Sequence, residues 1–290
     1  MTDFRSITWN DILCHKQLTD DQLTRDLDRL RCYTAHTNKS NTFGNPFIYH
    51  YQFSNMLDCR RHNKKHLFDL FHNPTDYEQL IQSTIKKNRK NRIPANDIFE
   101  CYRMNTGSIS IFKPSTAKYI YKKYNATKVL DPTAGWGGRM LAAHVLDIQY
   151  TGFDTNINLK SAYDAMLVRL NDSNLSMRWQ DCLSADWAGI DYDFVLTSPP
   201  YVNLELYPHM TPWQSATAFY QDFFIPLFNK CVRYIRPNGT ICFNITSRMY
   251  EQALQQGLPP ATIIEARPQP LGQKSNKSKQ DQIYIWQTTI

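Results

Sequence analysis

Short apolar runs alternate with longer amphipathic stretches through the second half of the chain. The runs end at polar or glycine-containing turns, as buried strands do. They predict strands at 128–131, 148–153, 177–179, 194–196, 240–245, 262–266 and 282–286. Between them, apolar residues recur at helical spacing over 115–124, 139–146, 159–170 and 218–231. This alternation indicates an α/β fold, with a doubly wound, mostly parallel seven-stranded sheet.

The first hundred residues follow a different pattern, which is mainly helical and polar. Leucines recur at helical spacing from Leu23 onwards, which predicts a helix that Thr19 or Asp20 caps. The aromatic-rich stretch at 43–53 is interpreted as a loop, and an apolar helix is expected near Leu80. The chain therefore divides into a helical, basic N-terminal region at 1–104 and an α/β domain at 105–290.

The composition narrows the classes to which the protein can belong. Of its 290 residues 42% are hydrophobic, which is enough for a large core, and no apolar run is long enough to predict a membrane span. Its seven cysteines are scattered without a C-x-x-C pair, so we expect neither a disulfide framework nor a metal site. With no apolar signal region at the N-terminus, we expect an intracellular protein. No pattern defines an oligomeric state.

The net charge of +7 is consistent with a polyanionic partner, and three basic clusters concentrate it. Two clusters flank the predicted apolar helix of the N-terminal region, and the third is the loop before the last strand. Such side chains can neutralise phosphates, although a single charge run is more commonly a solvated face. The candidate nucleic-acid contacts are Arg60, Arg61, Lys64 and Lys65, then Lys86, Lys87, Arg89, Lys90 and Arg92, and finally Lys274, Lys277 and Lys279.

The predicted strand at 194–196 ends in the sequence Thr-Ser-Pro-Pro-Tyr. Pro199 and Pro200 fix φ and remove two backbone donors, so this loop is stiff at the carboxyl end of a strand, where α/β sheets bind ligands. Such a loop suits an exocyclic amine, whose lone pair is conjugated with its ring. The Ser198 hydroxyl and the Pro199 carbonyl would accept its two N–H bonds and free that lone pair, and the Tyr201 ring would stack on the base. A plain strand-to-loop corner is the alternative.

A glycine-rich turn at 132–138 lies between a predicted strand and a predicted helix. That order is the nucleotide-binding start of a doubly wound sheet, although the spacing is neither G-x-G-x-x-G nor a P-loop. Asp154 ends the next strand, where an acid accepts hydrogen bonds from a ribose diol. Asp181 follows the third strand and is placed to accept from an adenine amine.

Together, the turn Asp-Pro-Thr-Ala-Gly-Trp-Gly-Gly, the two acids and Thr-Ser-Pro-Pro-Tyr resemble the S-adenosylmethionine-dependent DNA amino-methyltransferases in order and spacing. The resemblance covers 105–290 and includes an upstream Ser-Ile-Phe-Lys-Pro motif. It implies S-adenosylmethionine as cofactor and DNA as partner. The cofactor-binding residues that it implies are Phe112, Lys113, Asp131, Thr133, Ala134, Gly135, Gly137, Asp154, Asp181 and Cys182, and the catalytic residues are Ser198, Pro199, Pro200 and Tyr201.

Two features depart from the family pattern. Trp136 and the following Gly-Arg pair make the glycine turn bulkier than the common Ala-Gly-Ser-Gly form. No separate recognition domain of family size fits within the α/β part. DNA recognition is therefore assigned to the N-terminal region, the insert at 202–214 or the loop at 274–279.

The substrate stays open at several points. In the family, Ser before Pro-Pro-Tyr favours cytosine N4 and Asp favours adenine N6. One alternative is an enzyme that methylates amines in RNA. The non-enzymatic alternative is a nucleic-acid-binding protein with a degenerate methyltransferase fold. The intact loop, Asp154 and Asp181 argue against the latter. Formation of 5-methylcytosine needs a cysteine nucleophile, and no cysteine lies in or beside the Ser-Pro-Pro-Tyr loop.

Overall fold

The computed structural model describes residues 3–34, 41–61, 64–86, 93–106, 110–202, 205–206, 213–266 and 281–288. Seven strands in these ranges form one sheet. They are β1 (Lys128–Asp131), β2 (Gln149–Phe153), β3 (Leu175–Arg178), β4 (Phe194–Thr197), β5 (Thr240–Thr246), β6 (Ile263–Ala266) and β7 (Asp281–Gln287). None of the helices in these ranges has the length and apolar character needed to cross a membrane.

The strands lie in the order β3-β2-β1-β4-β5-β7-β6. The first five are parallel to one another, and β7 is antiparallel to both β5 and β6. The predicted seven-stranded, mostly parallel sheet is therefore confirmed. The order reverses between β1 and β4, so their carboxyl ends open a crevice at a topological switch point, where such sheets bind ligands.

Helices cover both faces of the sheet. After β1 comes α8 (Gly138–His144), and after β2 comes α9 (Lys160–Leu170). The helix between β4 and β5 has three parts: α10 (Ala216–Phe219), a π-helical turn (Tyr220–Phe224) and α11 (Ile225–Tyr234). A helix that the pattern did not predict, α12 (Ser247–Gln255), follows β5 and is capped by the Thr246 hydroxyl.

The N-terminal part is helical, as expected. Its helices are α1 (Trp9–Cys14), α2 (Asp20–Cys32), α3 (Asn45–Leu57), α4 (Leu67–His72), α5 (Pro74–Lys86) and α6 (Pro94–Thr106). The helix α7 (Pro114–Lys123) comes next, before β1, where a helix was predicted at 115–124. Thr19 caps α2 in a capping box with Gln22, as predicted. The apolar helix predicted near Leu80 is α5.

The interpretation of 43–53 as an aromatic loop is wrong, because this segment forms most of α3. Gly44, with a φ of +83°, ends the preceding turn, and Pro46 occupies the first turn of the helix, where proline needs no amide donor. Phe47, Ile48 and Phe53 are buried. They serve two cores, since Phe47 packs with the sheet helices and Phe53 packs with α1 and α6.

The N-terminal helices share a core with the sheet. Leu23, Leu30 and Phe47 belong to the same buried cluster as the β1 residue Val129. The Lys118 ammonium, on α7, donates to the carbonyl oxygens of Leu30, Arg31 and Tyr33 at 2.6–2.9 Å and so closes the end of α2. The division at residue 104 stays a prediction.

Candidate active site

The glycine turn begins where β1 ends. Gly135 and Gly137 have φ angles of +59° and +90°, a region that side chains with a Cβ rarely adopt. The Tyr163 hydroxyl, on α9, donates to the Gly135 carbonyl oxygen at 2.9 Å and fixes the turn from below. The turn therefore presents its backbone to the crevice in one conformation.

Gly138, at the start of α8, lies directly against the upstream segment. A Cβ at this position would be 2.0 Å from the Phe112 carbonyl oxygen, so only glycine allows this approach. The Phe112 ring faces the Arg139 guanidinium, with 5.1 Å from its centroid to Cζ. Lys113 is the N-cap residue of α7. The Ser-Ile-Phe-Lys-Pro motif that the sequence placed upstream, residues 110–114, thus adjoins the glycine turn.

Asp131 and Arg139 form a buried ion pair beneath the turn. Arg139 Nε lies 2.6 Å from Asp131 Oδ2, and the Tyr150 hydroxyl donates to the same oxygen at 2.7 Å. Arg139 Nη2 also donates to the Thr133 carbonyl oxygen. Burial opposes the charge of Arg139, but the Asp131 carboxylate raises its pKa above the ordinary value. The Asp131 side chain is fully buried, so it supports the turn through Arg139 and does not itself face the crevice.

Asp154 joins the second strand to the glycine turn. Its two carboxylate oxygens accept from the backbone N–H groups of Gly135 and Asn156, each at 2.8 Å. Burial raises the pKa of this carboxyl to about 6, because these two donors offset the loss of water only in part. A carboxylate with spare acceptor sites is therefore held at the crevice.

A cavity of about 390 Å³ lies beside this carboxylate. Its walls combine the turn, the ends of β2 and β3, and the π-helical turn. They include Thr133, Gly135, Trp136, Asp154, Asn156, Gln180, Asp181, Cys182, Ser198, Pro200, Trp213, Asp222 and Phe223. Asp181 is exposed, and one of its oxygens accepts from the Leu183 N–H at 2.9 Å. Burial raises the pKa of the Cys182 thiol to about 12, so this cysteine does not supply a thiolate nucleophile at neutral pH.

The Ser-Pro-Pro-Tyr loop forms the other side of the crevice. It follows the fully buried Thr197, whose hydroxyl is 2.6 Å from that of Thr133 in the glycine turn. The Thr133 hydroxyl also reaches the Ser198 carbonyl oxygen at 3.2 Å. Asn244, on β5, donates a hydrogen bond from its side-chain Nδ2 to Ser198 Oγ at 3.1 Å. The loop and the turn are therefore joined by direct hydrogen bonds.

A second, smaller cavity of about 90 Å³ adjoins the first. Thr133, Gly135, Trp136, Ser198 and Pro200 line both cavities. The smaller one is completed by Ser110, Phe112, Ala134, Gly138, Arg139, Pro199, Tyr201, Asn244 and Asp281. The predicted catalytic loop and most of the predicted cofactor residues thus meet around these two adjoining cavities.

The first basic cluster is connected to the catalytic loop through the backbone. Arg60–Arg61 pairs with Glu205–Leu206, four residues beyond Tyr201, in an antiparallel ladder. Lys64 is exposed, Lys65 forms a 2.6 Å ion pair with Asp76, and Lys86 ends α5. The other candidate contacts, Lys87, Arg89, Lys90, Arg92, Lys274, Lys277 and Lys279, lie outside the described residues.

Two site residues have positions that the sequence did not define. No single role for Arg139 follows from the sequence, because its pairing with Asp131 across eight residues needs the turn to be folded. Asn244 was not singled out. Its signal was a lone amide inside the apolar run Ile-Cys-Phe-Asn-Ile, which breaks the local rule for a buried strand.

Comparisons with known proteins yield a general likeness. No family model and no curated protein sequence matches the chain. A Listeria monocytogenes protein described as a class I S-adenosylmethionine-dependent methyltransferase has a TM-score of 0.47 at 12% identity, over 93% of this chain and 89% of its own. A Thermotoga maritima S-adenosylmethionine-dependent O-methyltransferase has a TM-score of 0.44 at 12% identity, over 64% of this chain and 69% of its own. TrmN from Thermus thermophilus has a TM-score of 0.43 at 16% identity, over 61% of this chain and 49% of its own. Such scores define neither a reaction nor a substrate.

Proposed function

We propose that this chain is an S-adenosylmethionine-dependent methyltransferase that acts on the exocyclic amine of a DNA base, with cytosine N4 as the target. The observation that carries the proposal is the meeting of the Ser-Pro-Pro-Tyr loop, the glycine turn and Asp154 around two adjoining cavities. In this proposal the Ser-Pro-Pro-Tyr loop would hold the amine and the larger cavity would hold the nucleoside of the cofactor, and Ser198 and Pro200 line both cavities.

The donor set fits the cofactor. The larger cavity has room for a nucleoside, and Asp154 has acceptor sites left for the two ribose hydroxyls. Asp181 and the backbone around Cys182 would receive the adenine. Arg139 and the turn at Thr133, Ala134, Gly135 and Gly137, next to Phe112 and Lys113, would receive the methionine part. Asp131 would contribute through Arg139, since its own carboxylate is buried.

The catalytic loop would make the amine reactive. The Ser198 hydroxyl and the Pro199 carbonyl accept its two N–H bonds, while the Tyr201 ring and Pro200 hold the base. When bound, the cofactor would supply an electrophilic methyl group and would leave as a neutral thioether. Ser198 and Pro199 would hold the amine nitrogen that takes this methyl group, and the surplus N–H proton would pass to solvent. The base must leave its helix to reach this loop.

A nucleic-acid partner is supported by charge and by chain path. The net charge is +7, and the backbone of the first basic cluster pairs with the segment that follows the catalytic loop. Phosphates held by Lys64 and its neighbours would then lie near the target base. The competing hypothesis is RNA as substrate, and cytosine is favoured over adenine by the serine before Pro-Pro-Tyr.

The experiment is a transfer assay with a labelled methyl donor, run in parallel on DNA and on RNA. We expect wild type to label DNA and Ser198→Ala to lose about 100- to 1,000-fold in single-turnover rate, by analogy with loss of one oxyanion-hole donor. Ser198→Ala should keep its affinity for the cofactor, because Ser198 lies on the loop side. An unchanged rate in Ser198→Ala would refute the role of the loop, and label in RNA alone would transfer the proposal to RNA.

A further inference from the structure

Asn244 lies in the middle of β5, beside the catalytic loop. Its neighbours Phe243 and Ile245 are fully buried, and Asn244 itself is 1% exposed. Parallel pairing places Thr197 opposite Phe243, so Ser198 and Asn244 are next to each other in the following register positions. An amide is unusual at such a buried position, because an apolar side chain would pack there without needing hydrogen-bond partners.

Two contacts join this residue to Ser198. Asn244 Nδ2 donates to Ser198 Oγ at 3.1 Å, and Ser198 Oγ donates to the Asn244 carbonyl oxygen at 3.4 Å. A hydroxyl has one hydrogen and two acceptor sites. The hydrogen and one acceptor site are thus used within the protein, and one acceptor site of Ser198 is left for another donor.

The Asn244 amide also carries an uncompensated cost. Its Oδ1 is buried and has no hydrogen-bond partner among the residues that the structure describes. A buried acceptor in that state destabilises the fold, so such groups are rare and need an explanation. The residue lines the smaller cavity together with Ser198, Pro199 and Tyr201. A functional role at this cavity accounts for an amide that the core does not require.

We propose that Asn244 is a positioning residue that fixes the direction of the Ser198 hydroxyl. It takes the hydroxyl hydrogen on its backbone oxygen and occupies one acceptor site with its amide, so that Ser198 can only accept from the substrate. This inference rests on the proposed function, in which the substrate donates an N–H bond to Ser198. It gives the serine the polarity that an amine substrate requires.

A double-mutant cycle tests it. We expect Asn244→Leu to lower the single-turnover methyl-transfer rate roughly tenfold to a hundredfold, the size of a small misplacement, with the cofactor affinity unchanged. If Asn244 acts through Ser198, Asn244→Leu in the Ser198→Ala background lowers the rate no further. A merely structural residue would lower the rate by the same factor in both backgrounds.

Controls keep these outcomes distinct. Thr240→Val, at the opposite end of β5, removes a buried hydroxyl of the same strand and should leave the rate unchanged. Asn244→Val is a second variant for the case that Asn244→Leu does not fold, which circular dichroism will show. The inference about Asn244 would be overturned, and the proposed function kept, by either of two results. One is that the Asn244 and Ser198 changes lower the methyl-transfer rate by independent factors, and the other is that a folded Asn244 variant keeps the wild-type rate. A wild-type protein that labels neither DNA nor RNA would overturn the proposed function and the inference with it.

Discussion

The backbone N–H of Gly135 donates a 2.8 Å hydrogen bond to Asp154 Oδ2, which ties the glycine turn to the acid after β2. The same carboxylate accepts from Asn156, yet burial still raises its pKa to about 6. The group therefore changes charge within the pH range in which the protein can be assayed. Ligand binding at this carboxylate should report that change.

We predict that affinity for S-adenosylmethionine falls as the pH drops below about 6. Two hydroxyl donors favour the ionised carboxylate and lower its pKa in the complex, so binding is strongest above the free pKa and is lost as the pH falls through it. Calorimetric titrations from pH 5 to 8 would measure this. Asp154→Asn should bind weakly with a flat profile, whereas Asp164→Asn, on the exposed side of α9, should keep the wild-type profile. A constant wild-type affinity from pH 5 to 7 would contradict the ribose assignment.

Gly138→Ala tests the approach of the upstream segment to α8. The new Cβ would meet the Phe112 carbonyl oxygen at 2.0 Å, so backbone must move. We expect the free energy of unfolding to fall by about 1–3 kcal/mol, as in overpacked cores, together with weaker cofactor binding. Urea denaturation gives the first quantity. Gly189→Ala is the comparison, since no described atom lies near its added Cβ and only the strain of its φ of +80° is introduced. Equal stability of Gly138→Ala and wild type would show that this contact is not tight.

Arg139→Met separates the structural role of the buried pair from its binding role. Removing one partner leaves the Asp131 carboxylate buried and unpaired, so the variant should lose about 3–5 kcal/mol of stability. The double variant Arg139→Met with Asp131→Asn should recover much of this loss. Cofactor affinity should stay low in both, because the guanidinium is absent. If the double variant binds S-adenosylmethionine as wild type does, Arg139 does not contact the cofactor.

The basic clusters are tested by salt dependence. Each phosphate contact contributes about −0.9 to the slope of log affinity against log salt concentration for duplex DNA. We predict that changing the second cluster to alanine flattens this slope by several units and weakens binding to all sequences alike, with cofactor binding unaffected. The variant combines changes at Lys86, Lys87, Arg89, Lys90 and Arg92. A matched variant at Lys274, Lys277 and Lys279 gives the comparison. An unaltered slope in the first variant would assign the contacts to the C-terminal loop.

The sequence was sufficient for the sheet because its central strands, such as β1, β4 and β5, are buried on both faces. Runs such as Phe194–Leu196 are continuous apolar segments between helices, a pattern typical of the buried strands of a parallel sheet. The glycine turn, the two acids and the Ser-Pro-Pro-Tyr loop could be located from the sequence for the same reason, since each follows the end of a parallel strand. In the α/β part of the chain, the local pattern of apolar residues therefore agrees with where each strand lies in the sheet.

The misinterpretation of α3 has a physical cause. Its apolar residues lie around the whole helix because it packs between two cores, so no single stripe reveals its period. Proline is common in loops, but Pro46 lies in the first turn of this helix, where proline is favourable. The Arg60–Arg61 ladder and the Asn244–Ser198 contact depend on tertiary pairing between distant segments. No local pattern encodes either of them.

The most direct test of the central claim is the position of the transferred methyl group. DNA is incubated with the protein and a methyl-labelled donor, digested to nucleosides and analysed by mass spectrometry. The account predicts label in N4-methylcytosine, and its loss in the Ser198→Ala variant. Label on adenine N6 would correct the base and keep the amine chemistry. Label on a ring carbon, as in 5-methylcytosine, would contradict the account, because the loop around Ser198 would then not be acting on an amine.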